Sequence, residues 1–430
     1  MTPRKKKPKF QAPTGMHDIL PEDQPYFQKI YDIVEKVADF YNFRKIEVPV
    51  VEESELFSRG IGLATDIIGK QMYTLRTKGG EYLALRPEFT AGICRAYIEH
   101  GLFNLPQPLK LFTYGPLFRY ERPQAGRFRQ FHQFDFEVFG EAKPVIDAQV
   151  IQVLYNILRE LKFKNITIEI NSIGDSQCRP YYKKLLVSYL RSRENALCSD
   201  CRRRVRENPL RVLDCKEEKC QRIISEAPQI INHLCGECHD HFKEVLEFLD
   251  EMGLPYHLNP YLVRGLDYYT KTVFEIVEES EEGERLGSLG GGGRFDPLVK
   301  LLGGRDTPAC GMAAGVERIV ALLKIKKTKL PSPPQPRIFL AQIGQLPKQR
   351  ALKLFEHFRK ANIRVAESFS RDSLKAQLRI ADKIGVDYTV ILGQKEALDG
   401  TVIVRDMRTG KQDTVKLEKI ITEIKKRLKK

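Results

Sequence analysis

The stretch GPLFRYERPQAGRFRQFHQFDFE, residues 115–137, decides the fold. Its PQAG segment, residues 123–126, supplies turn residues between two runs of β-favouring residues, so the stretch predicts a strand–loop–strand hairpin. Arginine binds phosphate through planar, paired hydrogen bonds, whereas Glu and Gln accept hydrogen bonds from an ammonium or a ring N–H. The stretch therefore predicts a face for a substrate with both phosphate and amine; the alternative is a salt-bridged surface hairpin. The charged residues are Arg119, Glu121, Arg122, Arg127, Arg129, Asp135 and Glu137.

Residues 1–330, which include this hairpin, contain both helical patterns and strand-like runs, without a regular strand–helix alternation. This arrangement predicts an α+β core, in which helices flank an antiparallel sheet. Residues 175–255 are rich in cysteine, arginine and charge and mostly helical in pattern, so we interpret them as an insertion that interrupts the core.

The segment PSPPQP, residues 331–336, predicts a linker, because proline fits neither a helix interior nor a sheet interior. After it, residues 337–430 alternate strand and helix patterns and predict a small α/β domain with a mixed sheet. One predicted helix places Leu352, Phe355 and Phe358 on one face, and another ends at Gly385. A hairpin is predicted to turn at residues 408–410.

The chain has 430 residues, with 71 Lys and Arg against 56 Asp and Glu, a net charge of +15. Such a charge favours polyanionic partners, because binding phosphates releases counterions. No apolar run is long enough to span a membrane, and the basic start MTPRKKKPKF has no apolar stretch behind it. Because a disulfide framework is unusual in such a chain, the nine cysteines predict a reducing cytoplasm.

The sequence contains no GxxxxGK[ST] phosphate-binding loop, so a nucleotide needs another scaffold. The Gly-rich stretch GSLGGGGRFDPLV, residues 287–299, lacks the Lys-Ser/Thr step. Because Arg294 and Asp296 follow its four consecutive glycines, we expect its backbone to approach a ligand closely. The alternative is a flexible loop.

Two shorter segments carry candidate binding residues. In LRPEFTA, residues 85–91, Glu88 and Thr90 share a face if the segment is extended, which suits an α-ammonium group; an ordinary strand edge has the same pattern. In RGLDYY, residues 264–269, a cation precedes Tyr268 and Tyr269 and suits an anion beside a polar ring. The alternative there is a strand with a surface arginine and core tyrosines.

Six cysteines crowd between residues 198 and 238. Two CxxC pairs, Cys198 with Cys201 and Cys235 with Cys238, have the spacing of a four-cysteine structural zinc site. The alternative is a set of small buried thiols, and we assign no metal ligand from the sequence alone. The adjacent RRRVR, residues 202–206, suits a nucleic-acid backbone or a solvated helix face. The spare candidate ligands are Cys215, Cys220, His239 and His241.

Four segments of the sequence resemble those of the class II aminoacyl-tRNA synthetases, and in particular those of the histidyl-tRNA synthetase family. The hairpin stretch resembles motif 2, LVRGLDYYTKTVFE at residues 262–275 resembles the histidine-specific signature, and GMAAGVER at residues 311–318 resembles motif 3. FRKIEVPVVE, residues 43–52, is placed like motif 1, with Pro49 at the motif's proline. The resemblance covers essentially the whole chain in the expected order.

The resemblance implies a class II antiparallel sheet flanked by helices, a helical insertion and a C-terminal α/β anticodon-binding domain. It implies that ATP and Mg²⁺ activate L-histidine to histidyl-adenylate, which is then transferred to tRNA(His), and that motif 1 builds a homodimer. Arg264 and Arg119 are the implied catalytic residues, with Arg119 at the α-phosphate. Arg119, Arg127 and Arg318 are the implied ATP-binding residues. The implied histidine-binding residues are Glu88, Phe89, Thr90, Gln133, Glu137, Tyr268 and Tyr269.

Three other functions fit parts of the sequence. A paralogue of the family is a non-catalytic regulatory subunit of ATP phosphoribosyltransferase, but it typically lacks motif residues and the anticodon-binding domain, which this sequence retains. Synthetases for proline, threonine or glycine are disfavoured by RGLDYY and HQFDFE. A zinc-dependent nucleic-acid-binding protein without ligase activity would need neither motif.

Overall fold

The computed structural model describes residues 10–62, 65, 67–123, 126–280, 285–328, 330 and 335–429. The chain separates into two compact units, Met1–Leu330 and Pro331–Lys430. Most of the basic N-terminal tail, the middle of the PQAG loop and most of the PSPPQP segment lie outside the described residues. No helix in the described ranges is long and apolar enough to cross a membrane.

The first unit is organised around an eight-stranded sheet with the order β1-β5-β6-β11-β10-β9-β7-β8. All neighbouring strands in it are antiparallel except the β1–β5 and β7–β8 pairs. A separate three-stranded sheet has the order β2-β4-β3. The strands are β1 Arg44–Lys45, β2 Val51–Glu53, β3 Tyr73–Arg76, β4 Tyr82–Leu85, β5 Leu109–Phe118, β6 Gln130–Phe139, β7 Ile166–Ser172, β8 Tyr256–Leu258, β9 Thr270–Glu279, β10 Arg285–Arg294 and β11 Ala309–Gly315.

Helices flank this sheet, as the predicted α+β core requires. Helix α4 buries apolar residues at helical spacing, among them Ile151, Leu154 and Leu158, against sheet residues such as Phe134 and Phe274. The helices of the first unit are α1 Gln24–Phe40, α2 Ser54–Ile61, α3 Thr90–Glu99, α4 Pro144–Glu160, α5 Arg179–Arg191, α6 Ser199–Glu207, α7 Glu218–Ile224, α8 Gly236–Glu251, α9 Pro297–Leu301 and α10 Val316–Ile325.

The predicted hairpin is confirmed as β5 and β6, paired antiparallel over ten residues of each strand. Because side chains alternate between the two faces of a strand, Phe134 and Phe136 pack into the core while Asp135 and Glu137 share the other face. The interleaved phenylalanines and charges thus divide the hairpin into a core side and a polar side.

Between β7 and β8 the chain forms helices α5 to α8 and short turns of 3₁₀-helix, with no strand in this fully described stretch. The predicted helical character of the insertion is therefore confirmed. The apolar residues of α5, α6 and α7 belong to a core cluster shared with the region around α3 and the loop before β9. Those of α8 belong to the cluster that contains α4 and the sheet.

The second unit is a five-stranded mixed sheet with the order β13-β12-β14-β15-β16, parallel in its first three strands. Gly385 ends α12 in the left-handed conformation and Gly410 turns the predicted hairpin, both as expected. The prediction for Leu352 is wrong: it is 56% exposed, and Ala351 and Leu354 face the core with Phe358. The elements are β12 Ile338–Gln342, α11 Gln345–Lys360, β13 Val365–Glu367, α12 Leu374–Ile384, β14 Tyr388–Leu392, α13 Gln394–Asp399, β15 Thr401–Asp406, β16 Gln412–Lys416 and α14 Ile420–Leu428.

Candidate active site

A cavity of about 130 Å³ opens on the polar side of the β5–β6 hairpin, beside β11 and the loop before β9. It brings together residues that are up to 246 positions apart in the chain, because Ile67 and Ala313 both line it. The lining residues are Ile67, Glu88, Thr90, Arg119, Gln133, Asp135, Glu137, Arg264, Gly265, Leu266, Tyr268, Tyr269, Phe295, Gly311, Met312 and Ala313.

Three buried carboxyl groups, Glu88, Asp135 and Glu137, form what we call the acidic floor of this cavity. Burial raises the pKa of all three, and the charges of the neighbouring carboxylates raise the pKa values of Asp135 and Glu137 further. One oxygen of Asp135 and one of Glu137 have no hydrogen-bond partner in the part of the chain that the structure describes. Such buried acceptors favour a ligand that brings hydrogen-bond donors and positive charge.

The carboxylate of Glu88 is held by the start of α3. It accepts the backbone N–H groups of Thr90 at 2.7 Å and Ala91 at 2.8 Å, as expected for an anion at a helix N-terminus. The Thr90 hydroxyl donates to Glu137 at 2.7 Å. The extended form considered for LRPEFTA is therefore wrong, since Thr90 begins a helix. The side chains of Glu88 and Thr90 nevertheless both line the cavity. Phe89 is fully buried and is not among the lining residues.

Glu137 needs space that only glycine leaves at position 311. Gly311 lies directly opposite Glu137 on β11, and a Cβ there would be 1.5 Å from Glu137 Oε2. The glycine that begins GMAAGVER therefore admits the Glu137 carboxylate to the cavity.

Gln133, Asp135 and Glu137 alternate along β6, and all three line the cavity. Gln133 lies opposite Gly115 on one side and Gly315 on the other. An amide at this position adds a neutral acceptor and donor beside the acidic floor.

The two tyrosines of RGLDYY close the cavity, with ring centroids 4.7 Å apart. The Tyr268 hydroxyl reaches Glu88 at 3.5 Å. Burial raises the pKa of Tyr268 well above its ordinary value and that of Tyr269 to about 12. Both phenols therefore stay protonated at neutral pH and serve as hydrogen-bond donors.

Four arginines, Arg119, Arg127, Arg264 and Arg318, form what we call the cationic rim. Arg264 Nη1 contacts Glu275 at 2.6 Å, and its guanidinium lies 6.0 Å from the Tyr269 ring centroid. These contacts fix the direction of the Arg264 cation without neutralising the whole rim.

Arg119 also lines the cavity, and two contacts fix the position of its guanidinium group. Its Nε donates to the carbonyl of Pro87 at 2.8 Å, and its guanidinium lies 5.3 Å from the Phe131 ring centroid. A planar cation held in this way keeps its remaining donors for a ligand.

Arg127 and Arg318 lie outside the residues that line the cavity. Arg318 donates to the Ser288 carbonyl at 2.7 Å, and Arg127 is 3.7 Å from Glu121. Burial lowers the pKa of Arg318, and the charge of Arg127 lowers it further. Two mutually repelling cations at this position favour an anionic ligand between or beside them.

The glycine-rich stretch is a strand and not the flexible loop considered as the alternative, and its close approach to a ligand stays a prediction. Gly290 to Gly293 lie within β10, and a Cβ at Gly292 would be 2.0 Å from the Gly311 carbonyl oxygen of the neighbouring strand. These glycines let β9, β10 and β11 approach closely, so they shape the sheet behind the site. Arg294 is fully buried, with Asp147 at 3.2 Å and Asp296 at 3.3 Å.

The four-cysteine set considered from the two CxxC pairs is also wrong. Cys198 and Cys201 cluster with Cys215 and Cys220, whereas Cys235 and Cys238 cluster with Asp175 and Cys178. The reason is the turn at Pro209–Val212, after which the chain returns to the first pair. Two further candidate ligands have other contacts: His241 bonds Asp147 at 3.2 Å, and His239 bonds Asp240 at 3.1 Å.

Two arginines of RRRVR have carboxylate partners within the insertion. Arg203 lies 3.4 Å from both Asp200 and Glu207, and Arg206 lies 3.1 Å from Glu194. This arrangement is that of a solvated, ion-paired helix face, and a nucleic-acid contact by this segment stays a prediction.

Sequence reasoning placed Asp135 on the polar face of the hairpin without a binding role, and it missed Glu275 and Arg285 as residues of this region. Asp135 had a usable signal, because it lies between Gln133 and Glu137 with the same alternation. Glu275 and Arg285 meet at 2.8 Å only through the pairing of β9 with β10, which no local pattern reveals.

Comparisons with known proteins agree with this fold and site. The family model for histidyl-tRNA synthetase matches residues 15–319, and that for the anticodon binding domain matches residues 338–427. The chain belongs to the histidyl-tRNA synthetase family.

Individual relatives extend over nearly the full length. A histidine–tRNA ligase of Dehalococcoides mccartyi is 44% identical over 97% of this chain and 100% of its own. That of Aquifex aeolicus is 46% identical over 96% of this chain and 100% of its own. The crystal structure of apo Staphylococcus aureus histidyl-tRNA synthetase superposes with a TM-score of 0.78 at 33% identity, covering 96% of this chain and 99% of the other.

Proposed function

We propose that this chain ligates L-histidine to tRNA(His) in two steps. ATP first converts histidine to histidyl-adenylate with release of pyrophosphate, and the enzyme then transfers histidine to the 3′ end of the tRNA. The observation that carries this proposal is that the acidic floor and two arginines of the rim, Arg119 and Arg264, line one cavity. The floor suits an amine and a ring N–H, and the rim suits phosphate.

The acidic floor supplies the histidine site. Glu88 and Gln133 receive the α-ammonium group, while Glu137 and Tyr269 receive the two imidazole nitrogens. The orphaned oxygen of Glu137 supports this assignment, because it is a buried acceptor that awaits a donor.

Three other implied histidine-site residues have supporting roles. Thr90 holds one Glu137 oxygen, and Tyr268 reaches Glu88 from the opposite wall. Phe89 lies behind the site, where its ring packs against the guanidinium of Arg86 at 4.6 Å. We infer that Phe89 supports the site from the core.

Selectivity follows from the same polar groups. An amino acid with an apolar side chain would leave the buried carboxylate and phenol unpaired, which discriminates by about 10⁴–10⁵ in comparable polar sites. The site therefore selects histidine without a separate editing reaction.

The cationic rim supplies the ATP site. Arg119 contacts the α-phosphate, Arg264 lies beside it and the histidine carboxylate, and Arg127 and Arg318 bind the γ-phosphate end. Magnesium enters as part of the substrate, bound to the ATP phosphates. A Cβ at Gly126, the residue before Arg127, would lie 3.8 Å from Arg318 Nε, and this closeness of the two segments supports a dense anion at that end.

Activation is an in-line displacement. A carboxylate oxygen of histidine attacks the α-phosphorus, and the bond to the bridging oxygen of pyrophosphate breaks. The nucleophile is already ionised, so no protein base is needed, and the arginines lower the barrier by stabilising charge on the phosphate oxygens. In the transfer step a tRNA hydroxyl attacks the histidyl carbonyl, a phosphate oxygen takes its proton and AMP leaves.

The test is ATP–pyrophosphate exchange with each of the twenty amino acids. We expect exchange with histidine alone. No exchange with histidine, or equal exchange with proline, threonine or glycine, would contradict the proposal. A regulatory paralogue would bind histidine without exchange.

We assign tRNA contacts outside the acceptor end to residues 337–430, which match the anticodon binding domain. A chain truncated after Leu330 retains all the residues of the floor and rim. We expect it to keep histidine-dependent exchange but to charge tRNA(His) poorly, and its tRNA binding should depend less on salt. Equal charging by the truncated and full-length chains would refute this assignment.

We further propose a homodimer, supported by the small sheet that follows β1. Its exposed apolar residues include Val51, Leu75 and the 64% exposed Tyr82, a surface suited to a partner copy. Tyr82→Glu should shift the mass in analytical ultracentrifugation towards the monomer, whereas Leu398→Glu, on another exposed apolar residue, should not. A wild-type monomer at all concentrations would contradict the proposal.

A cytoplasmic location completes the proposal. All nine cysteines are free in the structure, and thiols persist in a reducing compartment. Fractionation of the native cells should therefore find the protein with cytoplasmic markers.

A further inference from the structure

Four cysteines of the insertion converge on one point. The Sγ atoms of Cys198, Cys201, Cys215 and Cys220 all lie within 4.8 Å of one another. All four are free, and the Cys198–Cys215 sulfur separation is 3.9 Å, far beyond a disulfide bond of about 2.05 Å. Four sulfurs placed tetrahedrally at about 2.3 Å from a zinc ion are about 3.8 Å apart.

The backbone around these sulfurs is arranged for thiolates. Cys198 is the N-cap of α6, where its sulfur accepts the N–H of Cys201 at 3.3 Å. The N–H of Cys198 in turn donates to the sulfur of Cys220 at 3.3 Å. Backbone donors of this kind stabilise negative sulfur and orient metal ligands.

The cluster is also well enclosed. Cys201, Cys215 and Cys220 are buried, and they pack in one apolar core with Leu197, Val205 and Val212 among others. A dry, closed shell with four sulfur ligands and no open position has the features of a structural site rather than a catalytic one.

The second cysteine cluster has a different character. Its Asp175 carboxylate already accepts the backbone N–H groups of Gln177 at 2.9 Å and Cys178 at 3.3 Å, and the Cys178 thiol donates to it at 3.5 Å. The Cys235 thiol also lies 3.9 Å from Asp175 Oδ1. This cluster therefore surrounds a carboxylate that already has partners, and it serves as a control.

We propose that Cys198, Cys201, Cys215 and Cys220 bind one structural zinc ion. The ion joins the start of α6 to α7 and the segment before it, and closes the loop between Cys201 and Cys215.

That loop carries two residues that touch the catalytic segment. Asn208 Nδ2 donates to Asp267 Oδ1 at 2.7 Å, and Arg211 Nη1 donates to the Arg264 carbonyl at 3.0 Å. The zinc ion therefore positions Asn208 and Arg211, which in turn hold the backbone that carries Arg264. This second step rests on the proposed ligase function, whereas zinc binding itself does not.

Zinc binding is tested by metal analysis of the full chain purified under reducing, chelator-free conditions. We expect about one zinc ion per chain from this cluster. The pair Cys215→Ser/Cys220→Ser should lose it, while the control pair Cys235→Ser/Cys238→Ser should keep it. Wild-type protein without zinc, or unchanged zinc in the Cys215/Cys220 pair, would overturn the proposal.

A measurement on the wild-type chain covers the case in which the variants fail to fold. Alkylation followed by peptide mapping should find the four cluster cysteines protected until a chelator is added. Replacement by cobalt(II) should yield the thiolate charge-transfer and d–d bands of a tetrahedral four-sulfur site. Modification of all four cysteines at the same rate with and without chelator would overturn the site.

Positioning is tested by exchange kinetics after zinc removal in excess Mg²⁺. We expect kcat for exchange to fall on the order of 10²-fold, because a misplacement near 1 Å has that effect, and added zinc should restore it. Unchanged kcat in zinc-free protein would refute the positioning step. If histidine-dependent exchange is absent even with zinc bound, the proposed function fails while the metal site stands.

Discussion

Two arginines of the cationic rim, Arg119 and Arg264, line the same cavity as the acidic floor, but the charges of the floor and of the rim are partnered in different ways. Asp135 and Glu137 each keep a buried oxygen without a partner among the described residues, whereas Arg264 and Arg127 have Glu275 and Glu121 beside them. Unpaired buried acceptors discriminate strongly, because a wrong ligand leaves them unsatisfied. The carboxylates beside Arg264 and Arg127 keep these partly exposed cations in one orientation while a phosphate binds and dissociates. This difference supports the proposal that the floor selects the amino acid and that the rim stabilises the charge of the activation step.

Removing a rim cation should have the largest effect on the reaction. We expect Arg264→Ala to reduce histidine-dependent exchange by about 10²–10³, the value of one preorganised donor at a developing charge. Circular dichroism should find the fold intact. Arg59→Ala removes a surface arginine paired with Glu55 and is the matched control, for which we expect no change. Near-normal exchange by the folded Arg264→Ala protein would contradict the role of the rim.

Closing the space for the floor should have the next largest effect. Gly311→Ala would place a methyl group against Glu137 Oε2, and we expect histidine-dependent kcat/KM to fall on the order of 10²-fold as the carboxylate is displaced. Gly315→Ala is a matched control on the same strand, because nothing lies within 4 Å of its Cβ position. Equal kinetics for the two variants would mean that Glu137 tolerates displacement and that the floor does not select histidine.

Neutralising the floor separates its role from that of the rim. Glu137→Gln retains the shape but offers a weaker, neutral acceptor, which corresponds to a loss of about 1–2 kcal/mol in a charged hydrogen bond. We expect the histidine KM to rise by roughly tenfold while the ATP KM stays constant. The opposite pattern, with ATP affected and histidine unchanged, would move Glu137 to the nucleotide site.

The sequence predicted the parts of this comparison that depend on local alternation. Charged and aromatic residues alternate through FHQFDFE, so a hairpin with one polar face follows from spacing alone, and Glu137 with it. The same alternation placed Asp135 on that face, although no binding role was predicted for it. Arg119 and Arg264 came from the resemblance together with the chemistry of phosphate binding.

The sequence could not predict contacts that depend on the register between two strands or on a turn that reverses the chain. The Glu275–Arg285 pair depends on the pairing of β9 with β10, which includes register shifts. The grouping of Cys198 with Cys215 depends on a short turn that no spacing rule specifies. The helix that begins at Thr90 was not predicted, because its start is stabilised by the Glu88 carboxylate, which was considered as part of an extended segment. In α11, Leu352 was assigned to the core face, which in the structure includes its neighbour Ala351.

The smallest effect concerns the stability of the unliganded floor. Burial raises the folded pKa of Asp135 above its ordinary value near 3.8, so the folded chain retains a proton that the unfolded chain has released. Stability is therefore full below that ordinary pKa and falls as pH rises towards the folded value. A difference of one pH unit between the two pKa values corresponds to about 1.4 kcal/mol.

Asp135→Asn removes this titration and tests it directly. Because the variant no longer pays for a buried charge, we expect its free energy of unfolding to decline less than that of the wild type between about pH 4 and pH 7. The measurement is urea denaturation of the histidine-free protein across that range, and the variant-minus-wild-type difference cancels the other titrating groups. A difference that does not change with pH would mean that Asp135 titrates alike in both states. The contrast between the floor and the rim would then rest on Glu137 alone, because both oxygens of Glu88 accept backbone hydrogen bonds.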